Sequence, residues 1–265
     1  MLNIGLSLLE QVGKIAKRAG QEILKVYKTD FKVEQKADRT PVTEADRAAE
    51  ALILRAIREG ITDKFPIVSE EAVAAGKAPV VKDSAFWLVD PLDGTKEFVS
   101  KNGEFTVNIA IVENGRPVLG VVHAPVSRKT YWGAAVGSFA QDGDGPERVI
   151  KCRTAPAGGL VAMVSRSHRG PDVDAYLAQY KIASERSAGS ALKFCVVAEG
   201  AADIYPRLGR TMEWDTAAGH AVLRFAGGTV EDLQGKDLTY GKPGFENPHF
   251  VAKGPGVPAA STGKR

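Results

Sequence analysis

Two aspartates, Asp90 and Asp93, stand close together where an apolar run breaks off in Trp87-Leu88-Val89-Asp90-Pro91-Leu92-Asp93-Gly94-Thr95. Phe86 to Val89 reads as the end of a buried strand. Pro91 cannot donate to a sheet ladder and turns the chain, and Gly94 leaves room for close backbone approach. Carboxylates this close repel and raise each other's pKa unless a cation compensates, and oxygen-only ligands suit a hard ion such as Mg²⁺. Thr95 opens a short helix, so the N–H groups of Gly94 and Thr95 and the helix dipole would suit a phosphate. A bare D-x-x-D is more often an acidic surface turn; the strand, Pro, Gly and Thr around this one favour the cation.

The elements that must carry these residues follow from periodicity. Leu9, Val12, Ala16, Ala19, Ile23 and Val26 form the apolar stripe of a helix over residues 4–28. Thr43-Glu44-Ala45-Asp46 resembles a capping box, with Ala49, Leu52, Ile53, Ala56 and Ile57 as the buried face of a second helix. Asp46 therefore sits in a first helical turn, where capping alone would explain it. Pro66–Ser69 reads as a short strand running into Glu70-Glu71. Further strands are expected over Phe105–Val112, Val118–Val122 and Thr130–Trp132. The Gly-, Asp- and Pro-bearing stretch Ala140–Pro146 marks the boundary between halves. Beyond it come a strand at Leu160–Val164, helices at Val173–Tyr180 and Ala191–Glu199, and a helix over Ala217–Phe225 ended by Gly227-Gly228. Strands alternating with helices in both halves indicate a layered α/β architecture. The expected organisation is an N-terminal domain over 1–145, a C-terminal domain over 146–253, and a disordered tail over 254–265.

The chain has 265 residues, 44% hydrophobic and 25% charged, which allows a sizeable core in one or two domains. Its 35 basic and 32 acidic residues give a net charge of +3 without a long basic run, so no nucleic-acid footprint is present. Mild basicity helps attract an anionic small molecule. Cys152 and Cys195 are too few and too isolated for a zinc site or disulfide framework; Cys195, in an apolar run, reads as a buried small hydrophobe. No segment has membrane-spanning length or a signal-peptide core, so a cytoplasmic location is expected, with peripheral membrane association left open.

Glu70-Glu71 after a strand, Asp90-Pro91-Leu92-Asp93-Gly94-Thr95 and Trp214-Asp215-Thr216-Ala217-Ala218-Gly219 resemble, in order, the three signatures of the inositol monophosphatase superfamily of metal-dependent, lithium-sensitive phosphatases. That resemblance implies a five-layered αβαβα sandwich of the inositol monophosphatase and fructose-1,6-bisphosphatase type, with its site in a cleft. Lys96-Glu97-Phe98, Gly103 to Ala110, Ser165-Arg166-Ser167-His168, Gly189 to Cys195 and Asp203-Ile204-Tyr205-Pro206-Arg207 are similar to the bacterial 3′(2′),5′-bisphosphate nucleotidases. The implied reaction is Mg²⁺-dependent hydrolysis of the 3′-phosphate of 3′-phosphoadenosine 5′-phosphate, a by-product of sulfate assimilation. Ala191 departs from that branch, which often carries a second Ser there.

The resemblance implies two or three Mg²⁺ per active site, held by Glu70, Asp90, the carbonyl of Leu92, Asp93 and Asp215. Asp46, Glu70 and Thr95 would activate the attacking water. Asp93, Gly94, Thr95, His168, Ser190, Lys193, Arg207 and Asp215 would contact a small nucleoside bisphosphate. Trp214 and Glu213 have no clear place in this scheme, and His123, His220 and His249 have no evident partner. The oligomer is expected to be a monomer or homodimer. The alternatives are an inositol monophosphatase or other small phosphomonoester phosphatase and, from another class, a non-catalytic nucleotide sensor. A pure binder has no need of Thr95 and Asp46.

Overall fold

A computed structural model describes residues 3–35, 41–81, 85–166 and 169–260. The first half begins with α1 (Leu6–Tyr27), the short strands β1 (Glu34–Gln35) and β2 (Pro41–Val42), and α2 (Glu44–Gly60). It continues through β3 (Ile67–Ser69), α3 (Glu70–Ala74), β4 (Phe86–Asp93), α4 (Thr95–Val99), β5 (Thr106–Glu113), β6 (Arg116–Ala124), β7 (Lys129–Ala134), β8 (Gly137–Asp142) and β9 (Arg148–Val149). The second half contributes β10 (Leu160–Ser165), α5 (Pro171–Leu177), β11 (Ile182–Ala188), α6 (Leu192–Ala198), β12 (Ile204–Arg207), α7 (Glu213–Phe225), β13 (Thr229–Asp232) and β14 (Phe250–Lys253).

β3 to β9 form one seven-stranded sheet in sequential order, parallel only between β3 and β4. The second sheet runs β11-β10-β12-β14-β13. Three apolar clusters divide the molecule into layers. On one face of the large sheet, Val12, Ala16, Ile53 and Ile57 of α1 and α2 meet Trp87, Ile109 and Val121. On its other face, Phe194, Ala217, Val222 and Leu223 of α6 and α7 pack between Leu88, Val112 and Tyr131 of one sheet and Tyr205 and Phe250 of the other. Val173 and Leu177 of α5 cover the outer face of the second sheet through Leu160, Ala162 and Ile204. The order is therefore helix, sheet, helix, sheet, helix, the expected sandwich.

Gly120 and Gly133 let α7 lie against the large sheet. A Cβ there would come within 2.4 and 2.8 Å of the carbonyls of Ala218 and Ala221.

Several expectations change. The chain does not leave the first sheet at Ala140–Pro146, because β8 runs to Asp142 and β9 still pairs with it. The expected tail is packed at its start: the Gly254 amide donates to the Asp203 carbonyl and Val257 is buried with the α5 cluster; residues 261–265 lie outside the described residues. β4 does not end at Val89. It continues to Asp93 through a bulge, since Asp90 pairs with Asn108 and Asp93 with Thr106, so β4 has one residue more than β5 between those pairs. Pro91, lacking an N–H, sits inside that bulge.

Candidate active site

The β4 bulge ends against α4. Gly94, with φ +90°, is the N-cap, and a Cβ on it would come within 2.2 Å of the Ser190 hydroxyl. Glycine is needed here for both conformation and space. Across this contact the two halves interlock. The Ser190 hydroxyl lies 2.8 Å from the carbonyls of both Asp93 and Glu104, and the Gly189 amide donates to Glu104 Oε2 at 2.8 Å. Ser190 itself holds φ +51°, a left-handed conformation that these contacts stabilise.

Asp93 is the node. Its Oδ2 accepts from the Ala191 amide at 2.7 Å, from Asn108 Nδ2 at 3.2 Å and from the Thr106 hydroxyl at 3.4 Å. Burial raises its pKa to about 6, against the lowering pull of Lys193 and of the Asn108 and Ala191 donors. Asp90 is buried and accepts from the Leu92 amide at 3.0 Å. Desolvation first, then Glu70, Asp93 and Asp215, push its carboxyl well above the usual range, and Glu70 hydrogen-bonds to it. Asp215, in the first turn of α7, is raised by burial and by Asp93 and Glu70. Its Oδ2 accepts from the Met212 amide at 2.8 Å.

Asp46 caps its helix with one oxygen and turns the other toward Thr95. Its Oδ2 accepts the Thr43 amide and hydroxyl, each at 2.7 Å, completing the capping box, while Oδ1 lies 3.5 Å from the Thr95 hydroxyl. Thr95 Oγ1 is also 3.4 Å from the Leu92 carbonyl. Both contacts are long, as catalytic hydrogen bonds often are before substrate binds.

Glu70, Asp90, Leu92, Asp93, Thr95 and Asp215 line one cavity of about 670 Å³. Ser190, Lys193 and Arg207 line the same cavity. Lys193 is buried: its ammonium donates to the carbonyls of Ser190 at 2.7 Å and Ala188 at 3.2 Å. Desolvation lowers its pKa to about 8 against the opposing charge of Asp93. It neutralises the Asp93 carboxylate from within the wall and is not a solvated arm. Arg207 differs. One terminal nitrogen donates to the Arg210 carbonyl at 3.2 Å, and its buried Nε has no acceptor among the described residues. The exposed part of this guanidinium, on the wall of the cavity, suits an anion. His168 lies outside the described residues.

The carboxylate set fits divalent cations in kind, being oxygen-only, buried at Asp90 and half-buried at Glu70, Asp93 and Asp215, and mutually repelling. Among the described residues no three of these side chains close on a common point as they stand. A cation would have to draw them together, and it would favour the ionised form of carboxyls that burial and mutual repulsion push up.

Thr106 and Asn108, which hold Asp93, were not singled out for that task. They stand two apart on a strand, hence on one face, within the Gly103–Ala110 stretch that carries the family resemblance, and those are the signals that point to them. Glu213 and two of the unplaced histidines find partners away from the cavity. His123 Nδ1 lies 2.9 Å from the Thr130 hydroxyl and His220 Nδ1 2.9 Å from the Tyr240 hydroxyl, with burial pushing their pKa values down to about 4 and about 3. Cys195 is a buried free thiol, as expected.

The two sheets and the helices around and between them define a layered α/β sandwich with one carboxylate-lined cavity, and sequence comparison places it in a family. The inositol monophosphatase family matches residues 7–258, and the chain belongs to that family. It is 46% identical over 248 residues to the 3′(2′),5′-bisphosphate nucleotidase CysQ of Salmonella typhimurium, covering 92% of this chain and 98% of that protein. The CysQ of Buchnera aphidicola is 40% identical over 94% of this chain and 95% of its own length. The crystal structure of CysQ from Bacteroides thetaiotaomicron superposes with a TM-score of 0.77 at 36% identity, over 95% of this chain and 98% of that one. An inositol monophosphatase from Thermotoga maritima also reaches 0.77, at 28% identity over 95% and 94% of the two chains. Among the described residues no helix is long and apolar enough to cross a membrane.

Proposed function

We propose that this chain is a 3′(2′),5′-bisphosphate nucleotidase that removes the 3′-phosphate of 3′-phosphoadenosine 5′-phosphate to leave AMP. The observation that carries this reading is that Glu70, Asp90, Asp93 and Asp215 line one cavity together with the Arg207 guanidinium. The first group suits a phosphate being cleaved, the second a phosphate that is not. The CysQ relatives, matched over nearly their whole length, support the same substrate class.

Glu70, Asp90, the Leu92 carbonyl, Asp93 and Asp215 would hold Mg²⁺. When bound, the ions neutralise the equatorial phosphate oxygens, acidify the attacking water and stabilise the leaving alkoxide. The chain's own residues do the rest. Thr95 Oγ1 accepts a hydrogen from the attacking water while donating its own to Asp46 Oδ1, so the water's lone pair is aimed at phosphorus. Asp46 is held for this by its Oδ2 contacts to Thr43. The amides at the start of α4 face the cleaved phosphate. Lys193 keeps Asp93 ionised at neutral pH, and Arg207 grips the remaining 5′-phosphate.

The test is phosphate release with Mg²⁺ from 3′-phosphoadenosine 5′-phosphate, adenosine 3′-monophosphate and inositol 1-phosphate. The bisphosphate should be the preferred substrate. Arg207→Ala removes a charge-assisted contact of about 1.5–3 kcal/mol, so efficiency on the bisphosphate should fall roughly ten- to a hundred-fold while both monophosphates are barely affected. Preference for inositol 1-phosphate, or equal losses on all three substrates, would leave only a general phosphomonoesterase.

A further inference from the structure

The first turn of α7, which presents Asp215, is gripped from behind by side chains that do not line the cavity. Asn247 is buried and reaches back across that turn. Its Nδ2 donates to the Met212 carbonyl at 2.8 Å and to the Thr216 hydroxyl at 3.0 Å, and its backbone amide donates to the Thr211 carbonyl at 2.9 Å. Its Oδ1 faces Lys242 Nζ at 3.2 Å. An ammonium on one side and a carbonyl and hydroxyl on the other leave the amide a single satisfactory orientation. Lys242 is in turn paired with Glu213 at 2.6 Å. The fully buried Glu213 carboxylate also accepts the amides of Gly241 at 2.7 Å and Lys242 at 2.9 Å.

Asn247 thus joins the residues on either side of Asp215. Met212 is the N-cap of α7, and its amide is the group that Asp215 Oδ2 accepts. The Met212 amide belongs to the Thr211–Met212 peptide, whose carbonyl accepts the Asn247 backbone amide; rotating that peptide would release the Asp215 carboxylate from its rotamer. The next peptide is held at the Met212 carbonyl, which accepts the Asp215 amide at 3.2 Å within the helix and Asn247 Nδ2 at 2.8 Å, so Asn247 braces the peptide units on both sides of Met212.

We propose that Asn247, itself fixed by the Lys242–Glu213 pair, is a positioning residue that sets Asp215 for cation binding. This rests on the reading of Asp215 as a metal ligand. Partners behind metal ligands typically change affinity 10–100-fold when removed. The amide of Asn247 has two tasks, and one substitution separates them. Asn247→Asp preserves size and the contact with Lys242 but replaces the donor to Met212 by an acceptor.

The experiment is titration of the substrate-free full-length protein with Mn²⁺, followed by electron paramagnetic resonance, with circular dichroism to check the fold. Asp215→Asn serves as the control. Asn247→Ala and Asn247→Asp should each weaken Mn²⁺ binding at least ~10-fold at the site lost in Asp215→Asn, with a wild-type dichroism spectrum. Wild-type Mn²⁺ affinity in a folded Asn247 variant, even one with lowered thermal stability, would reduce Asn247 to a structural residue and overturn the proposal. If Asn247→Ala does not fold, the Asp variant decides. Should Asp215→Asn bind Mn²⁺ like the wild type, the metal-ligand reading of Asp215 fails instead, an outcome distinct from the failure of Asn247.

Discussion

Asp93 and Asp215 face the same cavity but are held there by different means. Asp93 is set by backbone: a strand bulge aims it, a left-handed glycine follows it, and a main-chain amide from the other half meets its carboxylate. Asp215 sits on a helix turn whose geometry depends on a relay of side chains through Asn247, Lys242 and Glu213. The first arrangement is stiff because altering it means breaking a sheet ladder. The second can be tuned one side chain at a time without touching the core.

The sharpest way to break this comparison is Asp93→Asn. The change is nearly isosteric, but one orientation of the amide sets an N–H against the donors of Ala191, Asn108 and Thr106, and the other sets it against the cation. The fold should survive, and the rate at saturating Mg²⁺ should fall by several orders of magnitude. A near-normal rate would remove Asp93 from the site.

Gly94→Ala tests the stiffness directly. It adds a methyl group where φ is +90° and where the Ser190 hydroxyl would be 2.2 Å away. A loss of about 1–3 kcal/mol is expected from the backbone strain, read as a lower midpoint in urea unfolding, together with loss of activity from the displaced 188–191 segment. Unchanged stability would mean that the interlock of the two halves is looser than the contacts at Gly94 and Ser190 indicate.

The smallest expected effect is electrostatic. Asp93 titrates at about 6 in the metal-free fold, against about 4 in an open chain. Between those values the fold keeps a proton that the unfolded chain has released. Stability without metal should therefore decline as pH rises from about 4 to about 6, with Asp90 and Asp215 acting in the same direction. Mg²⁺, by compensating the ionised carboxylates, should abolish or reverse that slope. Thermal melts across this range, with chelator and with Mg²⁺, measure it. A metal-free protein that grows more stable over the same interval would contradict the buried, uncompensated carboxylates.

Most of the scaffold was legible because its elements are strongly periodic. The α1 stripe, the Thr43–Asp46 cap and the apolar strands β5 and β6 fall where spacing put them, with ends shifted by a residue or two. β11 escaped notice because Ile182–Ala188 is largely solvent-exposed and polar, so it carries no alternation to read. The β4 bulge escaped because Pro91 signals a turn and a bulge equally well. In the site, residue types announced Asp90, Asp93 and Thr95, and motif resemblance supplied Glu70 and Asp215. What no local pattern discloses is how a charge is used once burial is known. Lys193 reads by resemblance as a substrate contact, and only the structure shows its ammonium buried in the wall between two carbonyls. Asn247 lies far along the chain from Asp215, in a Gly- and Pro-bearing stretch with no periodicity, so only tertiary structure joins them.

The place of α7 has a consequence for how the molecule comes apart. This one helix packs against β4 to β8 of the large sheet and also against β13 and α6. Gly120 and Gly133 bring it so close that no side chain intervenes. Neither half can cover its inner sheet face alone, so a fragment ending near Val149 would expose Leu88, Val112 and Tyr131 to water. The two halves, though separable on paper, form one cooperative unit, and the cleft that carries the carboxylates should be lost in the same single transition as the core.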